Sequence, residues 1–232
     1  MTRRTNARIA GFAFLFYIAL GIAAMVLFGG ATKAEGIAAK LAGIAQHASD
    51  VRIAIVLILF TSFAALALGV SLYAITRGED PDLAMLALTC RVGEGVIGGI
   101  ALQRSLGLLW LGTAAGANAP ETEAAHALGA LLLSGQGSGT IGAMFFAVGS
   151  TLFSWLLLRG RMIPVALAWL GVLTSVLWVV GLPLQIAGVL RGSVPQLIMW
   201  IPMAAFEILF ALWLIIKGVA PQRTRSPLGE TT

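Results

Sequence analysis

The chain has 232 residues, of which 59% are apolar and only 11% charged, and its mean hydropathy is +0.94. Soluble domains run at about 45–50% apolar and about 25% charged. This composition cannot clothe a water-facing surface, and it excludes an ordinary cytosolic enzyme, a disordered tail and a disulfide-stapled secreted module. A net charge of +5 and a pI near 10.1 would suggest nucleic acid in a soluble protein. In a membrane chain, cationic loops account for it, and no nucleic-acid partner is expected. The single Cys90 excludes an intramolecular disulfide.

A membrane span needs about 20 mostly apolar residues. Six stretches qualify: Ile9–Gly29, Ile53–Ile75, Leu83–Gly112, Gly139–Leu158, Ile163–Leu182 and Leu197–Ile216. The first follows Arg3, Arg4 and Arg8 in the manner of a signal peptide. Its apolar run exceeds the roughly 7–15 residues of a signal core, and it is read as a retained helix. The expected fold is a single all-α domain over residues 1–232, a polytopic bundle of six transmembrane helices in a lipid bilayer. Orientation follows from Lys and Arg in the short loops. Arg3, Arg4, Arg8, Arg77, Arg159, Arg161, Lys217, Arg223 and Arg225 fall on one side, and Lys33, Lys40, Arg52 and Arg191 on the other. Nine against four places both termini in the cytoplasm, in agreement with an even number of spans.

The outer loops carry patterns of their own. Ile37, Leu41 and Ile44 recur at helical spacing and predict a short amphipathic helix along the membrane surface. In the second loop Asn118 is placed to cap a helix with Pro120 and Glu121 in its first turn, and the apolar run Leu128 to Leu133 is expected to press onto the bundle.

The informative residues are those a bilayer penalises. A charged side chain at the centre of a span costs at least about 2.5–3.5 kcal/mol, so such groups face a bundle interior and pair. Arg91 and Glu94, three residues apart in the third span, share a helix face. They lie about 12 and 17 Å along it from Leu83, and Glu207 lies about 15 Å along the sixth span from Leu197. All three therefore sit at a similar depth. Two carboxylates and one guanidinium leave a surplus negative charge, and the acids are expected to share a proton or meet a further cation. Arg91, Glu94 and Glu207 are the candidate ligand- or proton-binding residues. Trp200, Met203, Gly95 and Gly98 are candidates to line a pocket beside them. The structural alternative has Arg91 stapling the third helix to the sixth.

The third span also contains Gly93, Gly95, Gly98 and Gly99, and the small-xxx-small pair Gly95/Gly99 permits close helix approach. Pro202 removes a hydrogen bond from the carbonyl of Ile198 and is expected to kink the sixth helix. Arg104, near the outer end of the third span, is placed to snorkel to headgroups. Trp110, Trp169, Trp178, Trp200 and Trp213 scatter along the spans, and those near the ends suit interfacial belts.

Gly137-Ser-Gly-Thr-Ile-Gly142 matches a dinucleotide fingerprint, but it opens a membrane span instead of following a strand and reads as small-residue packing. His47 with Asp50 and Glu123 with His126 form two pairs at three-residue spacing in the outer loops. Together they are weak candidates for a zinc, copper or iron site. Zinc-protease and nucleophile-elbow motifs are both missing from the sequence.

Arg8-Ile-Ala-Gly-Phe12 opening the first span, Asp50-Val-Arg52 opening the second, Leu72-Tyr73, Cys90-Arg-Val-Gly-Glu-Gly95 and the late Phe206-Glu207 give the chain a family likeness. It resembles an uncharacterised bacterial membrane family, the domain-of-unknown-function 4386 group. The resemblance implies a multi-pass protein of the bacterial cytoplasmic membrane and brings no established activity.

Three functional classes follow from the residues. The leading one binds, and moves, a small amphipathic or cationic molecule at Arg91, Glu94 and Glu207. A second is a membrane-embedded enzyme, a metal or acid/base catalyst using His47, Asp50, Glu123 and His126 at the outer face and acting on a lipid-like substrate. A third is an accessory subunit with a dry, packed interior.

Overall fold

Hydrocarbon offers no hydrogen-bond partners to a backbone, so each long apolar stretch must satisfy its own amides as a helix. In the computed structural model the described residues are 2–116, 119–134, 138–190 and 193–220, with side chains described for all of these except 138 and 193–196. Asn118, Gly137, Arg191, Arg223 and Arg225, and the side chain of Ser138, lie outside this set. The helices are α1 (Arg3–Ala31), α2 (Ile37–Gln46), α3 (Ala48–Thr76), α4 (Pro81–Thr113), α5 (Thr122–Leu133), α6 (Ser138–Arg159), α7 (Val165–Ile186) and α8 (Ser193–Ile216). There is no strand among the described residues.

Six of these helices are long and apolar enough to cross a membrane. Several overrun the hydropathy boundaries, and in α1 and α4 a polar side-chain cap outside the apolar run sets the start. Thr2 caps α1 through its side chain, and Asp80 caps α4 with Pro81 in the first turn. At 33 residues α4 is about 50 Å long, well over the roughly 30 Å hydrocarbon thickness. The fifth span begins at Val165 instead of Ile163, since Pro164 keeps the residue before it out of the helical region. It also runs through Pro183 to Ile186, past the expected end at Leu182, because one proline removes only one ladder bond.

The long helices close a ring in chain order. α1 packs on α3, α3 on α4, α4 on α6, α6 on α7 and α7 on α8, and α8 returns to α1. The side of the ring where the chain starts is knit by polar contacts. Arg3 donates to the carbonyl of Ile75 (2.9 Å) and to Met162 Sδ (3.2 Å), and the amide of Ala220 donates to the carbonyl of Met162 (2.9 Å). Both ends of the described chain thus lie at one face, with Arg159 paired to Asp80 at 3.2 Å. The half of the ring next to this terminal face is filled by Phe14, Leu68, Leu72, Leu157, Phe210 and Leu214, all 2% exposed or less.

The opposite face is capped by α2 and α5. Leu41 and Ile44 of α2 are buried as their spacing predicts, in a second core with Val51, Leu102 and Leu108. α5 departs from expectation. It starts at Thr122, after Glu121 in extended backbone (φ −56°, ψ 147°), and Pro120 and Glu121 lie before its first turn, not in it. Its buried side is Gly129 with Ala125, Leu132 and Leu133 packed near, while Leu131 is 69% exposed and Leu128 46%. Helical geometry allows only one stripe of the run Leu128 to Leu133 to face the bundle.

Candidate functional site

The centre of the ring holds a guanidinium. Arg91 on α4 is 1% exposed and donates from Nη1 to Glu94 Oε2 at 2.7 Å and from Nη2 to Ser150 Oγ on α6 at 3.1 Å. Its charge also faces two rings, with the Phe146 centroid 4.7 Å away and that of Phe14 at 5.9 Å. Glycines on the flanking helices make the room. A Cβ on Gly69 would come 2.8 Å from Arg91 Cβ, and one on Gly149 would come 3.1 Å from Cys90 Cβ. Arg91 therefore ties α4 to α6 through Ser150 and meets α1 at Phe14, not the third span to the sixth, since α4 does not pack on α8 among the described residues. The guanidinium Nε stays buried without a partner among the described residues.

Glu94 is held from two sides. Its Oε2 accepts from Arg91, and its Oε1 accepts from the Tyr17 hydroxyl of α1 at 2.9 Å. Glu207 on α8 is partly buried, lies within Coulombic reach of Arg91, Glu94 and Tyr17, and has no hydrogen-bonded side-chain partner among the described residues.

Glu94, Tyr17 and Glu207 form the polar end of a cavity of about 550 Å³ that occupies the half of the ring nearer α2 and α5. This volume falls in the range of sites for small organic ligands. All six long helices contribute wall, among them Ser62 of α3, Gly142 of α6 and Trp178 of α7. Phe14 and the stacked rings of Phe206 and Phe210, whose centroids are 5.3 Å apart, belong to the packed core of the terminal half and do not line the cavity. Gly95, Gly98, Met203 and Trp200 all lie on its wall, with the Trp200 ring edge-on to that of Trp178 at 4.7 Å. Trp178 belongs to the core, at 3% exposure, and not to an interfacial belt. Its indole N–H donates to the Met199 carbonyl at 2.8 Å, next to the carbonyl of Ile198 that Pro202 leaves without its helical partner.

The glycines of α4 divide differently from the small-xxx-small reading. A Cβ on Gly95 would come 3.2 Å from the Ser62 carbonyl and one on Gly98 3.0 Å from Ser62 Oγ, while Gly99 has nothing within 4 Å. The close approach uses Gly95 and Gly98 against α3, because α4 turns Gly99 away from the neighbouring helix.

The loop histidines do not converge. His47 occupies the corner between α2 and α3, where Nδ1 meets Asp50 Oδ2 at 3.3 Å with both side chains about half exposed. Asp50 sits in the first turn of α3, where the helix dipole favours it. Glu123 and His126 lie on α5, and no group of three His, Cys, Asp or Glu that could hold a metal forms among the described residues. One pair stands at the α2–α3 corner and the other on α5, and the four-residue metal centre is not assembled among the described residues.

Sequence reasoning missed Tyr17, Ser150 and Phe146. A tyrosine, a serine or a phenylalanine in an apolar span is unremarkable until its helix is rotated against its neighbours. The one signal available was depth, since Tyr17 and Ser150 both stand near the middle of their spans.

Ring, buried ion pair and cavity define the class: an integral membrane protein of six apolar helices built around a charged interior site. The family described as a domain of unknown function, DUF4386, matches residues 9–218, and the chain belongs to it. No curated protein and no solved structure is significantly similar to the chain.

Proposed function

We propose that the protein binds a small cationic or amphipathic molecule in the interior cavity, with Glu207 as its charge partner, and moves it through the bundle. The observation that carries this reading is the state of the two carboxylates. Glu94 is neutralised by Arg91 and Tyr17, whereas Glu207 faces the same cavity with no donor among the described residues. A carboxylate at that depth needs a proton or a cation beside it. The cavity walls are otherwise largely apolar, which suits the hydrocarbon part of such a molecule. Movement to the terminal face requires Phe14, Phe206 and Phe210 to part. The cavity also weighs against a passive subunit with a dry interior, and the unassembled histidines weigh against a metal-dependent enzyme. The excess of Lys and Arg on the terminal face supports a cytoplasmic location for that face in a bacterial inner membrane.

The test is binding of dodecylamine to the protein in lipid nanodiscs, followed by quenching of the cavity tryptophans, with uptake measured in proteoliposomes. Saturable binding that weakens about tenfold in Glu207→Gln is the expected result. Equal affinity in wild type and Glu207→Gln overturns the reading.

A further inference from the structure

A second cavity of about 310 Å³ adjoins the first, and Gly21, Met25, Ile58 and Ala101 line both. Its charged group is Arg104, with Ser105 beside it. Arg104 is partly buried and makes no hydrogen bond or ion pair among the described residues. It stands ten residues beyond Glu94 on α4, about 15 Å farther along the helix toward the capped face.

The two joined cavities thus have a polar pole at each end, of opposite sign, with a wall between that is apolar apart from Thr61 and Ser62, whose hydroxyls donate to the carbonyls of Leu57 and Ile58 on their own helix. We infer that the ligand is dipolar: a cationic group lies at Glu207, an acidic group lies at Arg104 and Ser105, and an apolar chain of about 15 Å joins them. This rests on reading the larger cavity as a cation site. Such a molecule cancels both uncompensated charges at once, whereas a simple alkylamine cancels only that of Glu207 and a fatty acid only that of Arg104. A guanidinium favours carboxylate and phosphate because its planar fork donates to both oxygens. Arg104 is therefore assigned the acidic end. The length condition is equally specific, since the shared wall of Gly21, Met25, Ile58 and Ala101 admits chain but offers no charged or hydrogen-bonding side chain. A ligand whose two charges are adjacent cannot reach both poles.

The experiment compares ω-aminododecanoate, dodecylamine and dodecanoate binding to the full-length protein in nanodiscs of neutral lipid. The expected result is that ω-aminododecanoate binds about tenfold more tightly than either singly charged analogue. Arg104→Gln should erase that advantage, while Arg104→Lys retains part of it and serves as the folding control. The short ω-aminohexanoate should show no gain over hexylamine. If dodecylamine binds in a Glu207-dependent way but the added carboxylate brings no gain, or a gain that survives Arg104→Gln, the dipolar ligand is wrong and the cation site stands. If neither amine binds, both readings fall.

Discussion

Tyr17 and Glu94 meet across the α1–α4 divide at 2.9 Å, with the phenol donating to the carboxylate oxygen that Arg91 leaves open. The first helix to be made is thereby registered against the third span by a polar contact at mid-membrane. Hydrogen bonds between membrane helices average about 0.6 kcal/mol and reach about 1.7. Tyr17→Phe should therefore cost about 1 kcal/mol and leave the fold intact. Thermal unfolding in lipid nanodiscs reads this, and a loss several times larger would mean that the contact organises more than one helix pair.

Removing Arg91 should be far more damaging. In Arg91→Leu the Glu94 carboxylate keeps Tyr17 but loses its countercharge in the bundle interior, and breaking a buried pair from one side costs about 3–5 kcal/mol. The double variant Arg91→Leu with Glu94→Gln should recover most of that loss, since no uncompensated charge remains. Unfolding in denaturing detergent, with each single variant beside the double, measures the coupling.

Two glycines make opposite predictions. A methyl on Gly69 would press 2.8 Å from Arg91 Cβ, a rigid atom of the neighbouring helix. Gly69→Ala should cost about 1–3 kcal/mol as α3 and α4 are pushed apart. Gly99 has nothing within 4 Å, and Gly99→Ala should be neutral or stabilising by up to about 1 kcal/mol through reduced backbone entropy of the unfolded chain. Equal effects at the two sites would contradict the observed rotation of α4.

Filling the cavity should separate binding from folding. Ala204 lines it and is exposed in the ring wall, so Ala204→Phe adds a ring where no packed neighbour must move. Unfolding free energy is expected to hold within about 0.5 kcal/mol of wild type, as for substitutions away from packed features, while amine binding falls at least severalfold. Retained binding would place the ligand elsewhere.

Orientation is open to chemical labelling. Cys90 is buried, so a new cysteine gives the signal. A membrane-impermeant maleimide added to intact cells should label Glu35→Cys before α2 and fail to label Glu79→Cys at the terminal face until the cells are opened. The reverse pattern would invert the topology inferred from nine basic residues against four.

Position along the membrane normal is legible in the order of residues alone. Hydropathy sets where each span begins and ends to within a few residues, and counting along a helix puts Arg91, Glu94 and Glu207 at one depth. The stripe Ile37, Leu41, Ile44 likewise marked α2, because an amphipathic face against a bundle is local information. The rotation of each helix and the neighbours it meets emerge from the folded bundle. Rotation is set by packing around the whole ring, and in spans that are apolar on every side no periodic pattern records it. That is why Ser150, Phe146 and Tyr17 emerge as partners of the charges, why Gly69 and Gly149 matter where Gly99 does not, and why the loop histidines stay apart.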